Sequence, residues 1–315
     1  MPTATNDRVG VIVGLDIGGT KTHAVGFDAA FNQLCEVRVP TKVDDNSDVA
    51  DLALETISTL EAHGGHQIIG IGIGIPGLVD QQRGSVRQAV NLGIGTDPLD
   101  IVARLTSVHD VPCFVENDVN VAGLGAYRML RSNLQVSDLA YLSIGTGIAA
   151  SVILNGHLHR GNRGVTGEIG HFPIAADGPL CECGLRGCLE AVASGAAISR
   201  RWPGSGGISS SESLIAEAGQ GNRDASAVLD PIADHLAKAI YLLAITYDVD
   251  YVVVGGGVAD IGEPILATIR EGLERLESQS ELVRSLELQD RVLLKPAGPV
   301  SSLGAAALTD LGHRR

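Results

Sequence analysis

One pattern occurs twice in this chain and limits what it can fold into. Val11 to Asp28, VIVGLDIGGTKTHAVGFD, reads as an apolar strand, a glycine turn and a second strand of alternating character. Leu142 to Asn155, LSIGTGIAASVILN, reads the same way. Asp16-Ile17-Gly18-Gly19-Thr20 aligns with Ser143-Ile144-Gly145-Thr146-Gly147, so position 143 repeats position 16. A period that long implies two related lobes, not a solenoid of short units. With 40 glycines in 315 residues, a short glycine match also arises by chance, so the duplication is an expectation for the strand order to test.

Around the two hairpins, strands and helices alternate, which makes the fold class α/β. Helical spacing covers roughly 47–63, 97–107, 119–131, 191–200 and 224–247, with a final small-residue helix from about Ser301. Strands are expected at Ile68–Val79, Cys113–Glu116, Tyr251–Val258 and Val292–Pro296. Residues 156–190 are irregular, and RWPGSGGISSSES at 201–213 reads as a surface loop. The expected division is a small lobe, 1–118, with 301–315 packing back on it, and a large lobe, 119–300.

Charge excludes several partners. The chain carries 23 basic and 37 acidic residues, a net of −14, and only 3% aromatics. It therefore lacks the basic face and stacking rings of a nucleic-acid binder, and it suits no anionic membrane surface. No apolar run reaches the ~18 residues of a membrane span, because Gly70, Gly72, Gly74 and Pro76 interrupt Ile68–Val79. The start, MPTATNDRVG, has no signal-peptide pattern, so a cytoplasmic location is expected. Five cysteines, three of them within eight residues, do not form a secreted disulfide framework.

The glycine turns offer phosphate chemistry. Gly18, Gly19 and Thr20 can present backbone N–H groups to an anion, although a plain hairpin turn gives the same text. No Walker A or Rossmann fingerprint is present. Asp16, a carboxylate late in an apolar strand, suits a hydrated Mg²⁺ beside phosphate. Gly145, Thr146 and Gly147 offer a second cradle, and two such hairpins facing across a cleft would hold a triphosphate. Gly255, Gly256 and Gly257 could sit against adenine or ribose, or serve only packing.

Two further clusters carry chemistry. In CFVEND, Asn117 and Asp118 are good helix caps, and Asp118 is equally placed to take a proton from a hydroxyl. His171, Cys181, Cys183 and Cys188 form H-x9-C-x-C-x4-C, a closed tetrahedral set of the kind that holds structural Zn²⁺; a redox pair or inert thiols are the alternatives. Glu168 and Glu190 bracket it. Cys35 and Cys113 read as core residues.

Taken in order, LDIGGTK, VENDVN, IGTGI, GEIGH, CECGLRGCLE and VVVGGGV resemble the ROK family of sugar kinases, over about residues 10–312. The resemblance implies a two-lobed actin-like ATPase (ribonuclease H-like) fold with duplicated phosphate hairpins and an interdomain cleft. It implies ATP-dependent phosphorylation of a hexose at the 6-hydroxyl, with glucose the default and Asp118 the general base. Gly77, Asn91, Asn117, Glu168, His171 and Glu190 would contact the sugar, His171 while bound to a structural zinc through its other nitrogen. Asp16, Gly18, Gly19, Thr20 and Lys21 would form the first phosphate loop, Gly145, Thr146 and Gly147 the second, and Gly255–Gly257 the adenosine side. A homodimer is the family's habit.

Two segments depart from the family pattern. GTGIAAS puts Ala149, Ala150 and Ser151 where glycines are usual, and NLGIGTD replaces an Asn-x-x-Gly-Trp stretch beside the sugar. The alternatives are a kinase for N-acetylglucosamine or N-acetylmannosamine, and a non-catalytic sugar-binding relative, which would be expected to lack Asp118. A sugar-responsive repressor would need a DNA-binding segment ahead of Asp16, and the stretch from Met1 to Leu15 is too short to be one.

Overall fold

The computed structural model describes residues 9–42, 49–204 and 207–312. All but the last residue of an expected short tail at 1–9, the first two residues of the expected helix 47–63 and part of the 201–213 loop lie outside them. Two compact units emerge, Met1–Met129 with Ala297–Arg315, and Leu130–Pro296.

The first unit runs β1 (Gly10–Ile17), β2 (Lys21–Phe27), β3 (Gln33–Pro40), α1 (Val49–Gly64), β4 (Gln67–Ile75), β5 (Leu78–Asp80), β6 (Ser85–Arg87), α2 (Ile101–Thr106), β7 (Cys113–Asn117) and α3 (Asp118–Leu130). A C-terminal helix, Val300–Gly312, completes it. Its main sheet has the order β3-β2-β1-β4-β7. Strands β1, β4 and β7 pair in parallel, and β2 pairs antiparallel with both β1 and β3.

The two faces of this sheet follow from the period-2 pleat. Val11, Val13, Leu15 and Ile17 of β1, with Ile71, Ile73 and Ile75 of β4, pack on Ala50, Ala53, Ile57 and Leu60 of α1. The alternate positions of β4 are Gly70, Gly72 and Gly74, and those of β1 include Gly14. The interruptions in Ile68–Val79 are therefore the floor of a helix-binding face within a continuous strand up to Ile75. A Cβ on Gly14 would lie 1.8 Å from the Ser302 carbonyl oxygen, and one on Gly72 1.8 Å from that of Ala305. The small-residue text SSLGAAA lets the C-terminal helix lie backbone-on-backbone against the sheet. Gly72→Ala is expected to lower unfolding stability by about 1–3 kcal/mol or more, because neither backbone can yield. Urea titration checks this, and an unchanged midpoint refutes the close packing.

The second unit contains β8 (Leu139–Ile144), β9 (Ile148–Leu154), β10 (His157–Leu158), α4 (Leu189–Ala193), α5 (Gly195–Arg201), α6 (Ser210–Gly219), α7 (Arg223–Tyr247), β11 (Tyr251–Gly255), α8 (Glu263–Glu277), α9 (Glu281–Ser285), α10 (Leu288–Arg291) and β12 (Val292–Leu294). The sheet order is β10-β9-β8-β11-β12. Strands β8, β11 and β12 pair in parallel, and β9 pairs antiparallel with both β8 and β10. Order and direction repeat those of the first unit strand for strand, so the duplication extends from the hairpins to whole sheets. Leu142, Val152 and Val254 bury against Ile232, Leu236 and Ile240 of α7 and Ile269 of α8.

Two sequence expectations change. The stretch 191–200 belongs to two helices, because Ser194 is extended and caps α5 through Ala197 N–H. The expected loop 201–213 ends in α6: Ser209 Oγ accepts Glu212 N–H, and Ser211 and Ser213 are buried. Among the described residues, no helix is long and apolar enough to cross a membrane.

Candidate active site

In the first unit the β1–β2 hairpin closes with Gly18 N–H donating to the Lys21 carbonyl at 3.0 Å. Gly19, Thr20 and Lys21 stand at its tip, and half-buried Asp16 sits at the end of β1. A Cβ on Gly19 would be 3.2 Å from the Asn91 Cβ, so the hairpin and Asn91 touch. Asn91 is exposed in a single 3₁₀ turn, Val90–Leu92, held down by buried Leu92.

The β7–α3 junction separates the two roles open to its polar residues. Asn117 Oδ1 accepts Val119 N–H at 3.0 Å and Asn120 N–H at 3.3 Å, so Asn117 is the cap. Its Nδ2 donates to the Gly77 carbonyl at 3.3 Å. Asp118 begins the helix, half-buried, and its Oδ1 accepts Val119 N–H at 2.9 Å. Helix capping therefore does not require Asp118.

In the second unit the β8–β9 hairpin closes through Gly145 N–H to the Gly147 carbonyl at 2.9 Å. Glu190 braces it: its Oε2 accepts Ile148 N–H at 2.9 Å, and a Cβ on Gly147 would lie 2.3 Å from that oxygen. Ala149, Ala150 and Ser151 belong to β9, paired with Ser143, Leu142 and Tyr141, and do not extend the turn. Gly145, Thr146 and Gly257 line a cavity of about 350 Å³ together with Gly195, Ser199 and Ser209–Ser211. Gly255 and Gly256 are not part of that wall. A Cβ on Gly255 would strike the Tyr141 hydroxyl at 1.8 Å, and Gly256 takes φ +79. Ser209–Ser211 of the wall read as loop in the sequence, and only the helix-capping character of Ser209 could mark them.

His171 and the three cysteines come together. Their donor atoms all lie within 4.8 Å of one another, with Cys181 Sγ 3.7 Å from His171 Nδ1 and Cys183 Sγ 3.6 Å from Cys188 Sγ. Zn–S bonds of ~2.3 Å in a tetrahedron place sulfurs about 3.8 Å apart, so this donor set fits zinc. Gly187 permits the turn: its φ is +69, and a Cβ would sit 1.6 Å from the Ala175 carbonyl oxygen. Leu185 N–H lowers the Cys183 thiol pKa, whereas burial and the neighbouring thiols push Cys188 up to about 12. A divalent cation would relieve that cost of gathering thiolates. The imidazole is split: Nδ1 faces the sulfurs and Nε2 lies 3.9 Å from Glu168 Oε2. Cys35 and Cys113 stand apart, and burial pushes Cys113 up to about 11.

Comparison with known proteins finds relatives along nearly the whole chain. The ROK family model matches residues 12–310. A glucokinase of Thermotoga maritima is 32% identical over 316 residues, covering 94% of this chain and 96% of that one. An N-acetylmannosamine kinase of Vibrio vulnificus is 33% identical over 247 residues, covering 78% and 83%. The crystal structure of a ROK family glucokinase from Streptomyces griseus in complex with glucose and AMPPNP superposes with a TM-score of 0.74 at 29% identity, covering 97% and 100%.

Proposed function

The chain belongs to the ROK family and has its actin-like ATPase fold, and from that premise we propose that it is an ATP-dependent hexose kinase acting on the 6-hydroxyl of glucose. The observation that carries the proposal is the β7–α3 junction, where Asn117 Oδ1 takes the Val119 and Asn120 N–H groups, so that the start of α3 does not depend on Asp118.

Phosphoryl transfer is mainly positioning and charge neutralisation. Asp118 takes the proton of the attacking hydroxyl. Gly77, Asn91, Asn117, Glu168, His171 and Glu190 orient the sugar. Asn117 does so from a side chain already fixed at both ends, and Glu190 while bracing the second hairpin. The backbone at Gly18–Lys21 and Gly145–Gly147 holds phosphates, and the cavity beside Gly257 takes the adenosine. Gly255 and Gly256 support it from behind.

Asp16 would hold a hydrated Mg²⁺, which supplies charge neutralisation at the phosphates. His171, Cys181, Cys183 and Cys188 would hold a structural zinc. The resemblance also carries a homodimer in the cytoplasm.

An N-acetylated amino sugar is the second reading, favoured by the 33% identity to an N-acetylmannosamine kinase. ADP release from Mg·ATP across glucose, mannose, fructose, N-acetylglucosamine and N-acetylmannosamine decides between them. Turnover is expected with glucose. Turnover confined to an acetamido sugar supports the second reading, and none with any sugar overturns both.

A further inference from the structure

Glu116 is buried, 2% exposed, one residue from Asn117. Its Oε1 accepts Asn117 N–H at 2.8 Å and Asn120 Nδ2 at 2.9 Å, and its Oε2 accepts the side-chain amide of Gln81. A buried carboxylate is costly unless every oxygen is hydrogen-bonded. Here the donors come from two places. Asn117 and Asn120 belong to the junction that presents Asp118. Gln81 belongs to the β5–β6 turn, which is shaped by Asp80 Oδ1 accepting Gln82 and Arg83 N–H at 3.1 Å each.

That turn lies in the segment carrying Gly77 and Asn91. The far side of the segment is anchored by Val86 and Leu99, which exchange backbone hydrogen bonds at 3.0 and 2.8 Å, and by Gln88 N–H on the Gly95 carbonyl at 2.6 Å. Near its start, two side-chain amides tie it to the junction: Asn117 Nδ2 on the Gly77 carbonyl, and Gln81 on Glu116.

We propose that Gln81 and Glu116 form a clamp that fixes the sugar-facing 77–91 segment against the Asn117–Asp118 junction, making both positioning residues for the sugar. The proposal rests on the reading of Gly77, Asn91 and Asp118 given above. Neither residue touches the sugar; each sets where others stand.

The amide chemistry makes a sharp test. Gln81→Met keeps the length and removes the donor. Sugar kcat/KM is expected to fall roughly ten-fold or more, mostly through KM, on the scale that sub-ångström misplacement produces. The KM for ATP stays within about two-fold, since neither Gln81 nor Glu116 belongs to a phosphate hairpin. Glu116→Ala behaves like Gln81→Met. Glu116→Gln is rescued, because its amide oxygen keeps Asn117 and Asn120 while Gln81 turns its own oxygen to the new N–H₂.

Hydrogen–deuterium exchange gives a readout independent of turnover. Peptides covering 77–92 and 114–121 exchange faster in Gln81→Met, and the second unit does not. Unchanged sugar KM and unchanged exchange in Gln81→Met overturn the clamp. Glu116→Gln as impaired as Glu116→Ala overturns it in favour of a charge effect. Should Glu116→Ala fail to fold, Gln81→Met alone decides. A wild-type chain inactive on every sugar sinks the kinase reading, while the exchange result still judges the clamp.

Discussion

Asp118→Asn is expected to lower kcat by roughly 10²–10⁴-fold, the usual contribution of a positioned general base. The replacement is isosteric and keeps an oxygen for Val119 N–H, which Asp118 Oδ1 now accepts at 2.9 Å. The start of α3 does not depend on it, because Asn117 Oδ1 takes the Val119 and Asn120 N–H groups. Stability therefore stays within about 0.5 kcal/mol, as for substitutions away from special features. Glucose affinity measured by calorimetry stays within a few-fold, since the amide can still meet a hydroxyl. Loss of turnover with retained folding and binding separates a base from a cap. A variant that turns over at the wild-type rate removes Asp118 from the chemistry.

Cys183→Ala is expected to abolish metal binding and to lower the melting temperature by on the order of 10 °C. Losing a metal belongs to the short list of changes that cost about 4 kcal/mol or more, and each kcal/mol moves a unit of this size by about 2–4 °C. Cys183 is the informative position because it is exposed, whereas Cys188 is fully buried. Truncating Cys188 would open a cavity as well as remove a ligand, but truncating Cys183 removes little packing. Cys35→Ala is the control, since its thiol lies in the first unit, outside the cluster. Elemental analysis should find one zinc per wild-type chain and none in Cys183→Ala. Wild-type protein treated with a strong chelator should melt like the variant. Equal metal content and equal melting curves would remove the zinc site. Glu190 follows Cys188 by two positions and accepts Ile148 N–H, so metal loss is also expected to loosen the second hairpin.

The sequence was most informative where spacing alone carries the chemistry. The two glycine hairpins pointed to the lobe repeat, and strand order now extends it to both sheets. The H-x9-C-x-C-x4-C spacing anticipated a cluster whose donor atoms do converge. Partners remote in sequence were harder to see. Gly70, Gly72 and Gly74 read as interruptions because the helix that lies over Gly70 and Gly72, Val300–Gly312, is at the far end of the chain, while Val121 of α3 lies over Gly74. The alternation Gly-Ile-Gly-Ile beside a small-residue helix was the available signal. Asn117 was expected to bind sugar, but no local pattern showed that both ends of its amide are already held. Gln81 left no trace at all, since a glutamine in a polar turn is ordinary until Glu116 is seen behind it.

The position of the C-terminal helix bears on how the chain matures on the ribosome. The first unit's sheet residues are all synthesised by Met129, but the helix that covers Gly14 and Gly72 is complete only at Gly312. Synthesis at roughly 5–20 residues per second makes that delay about 10–40 s. The second unit, Leu130–Pro296, is a continuous segment and has all its residues before the first has its last helix. The order of completion is thus the reverse of the order of synthesis. Through that interval the glycine face of the nascent sheet stays uncovered, and it is the surface for a chaperone to guard.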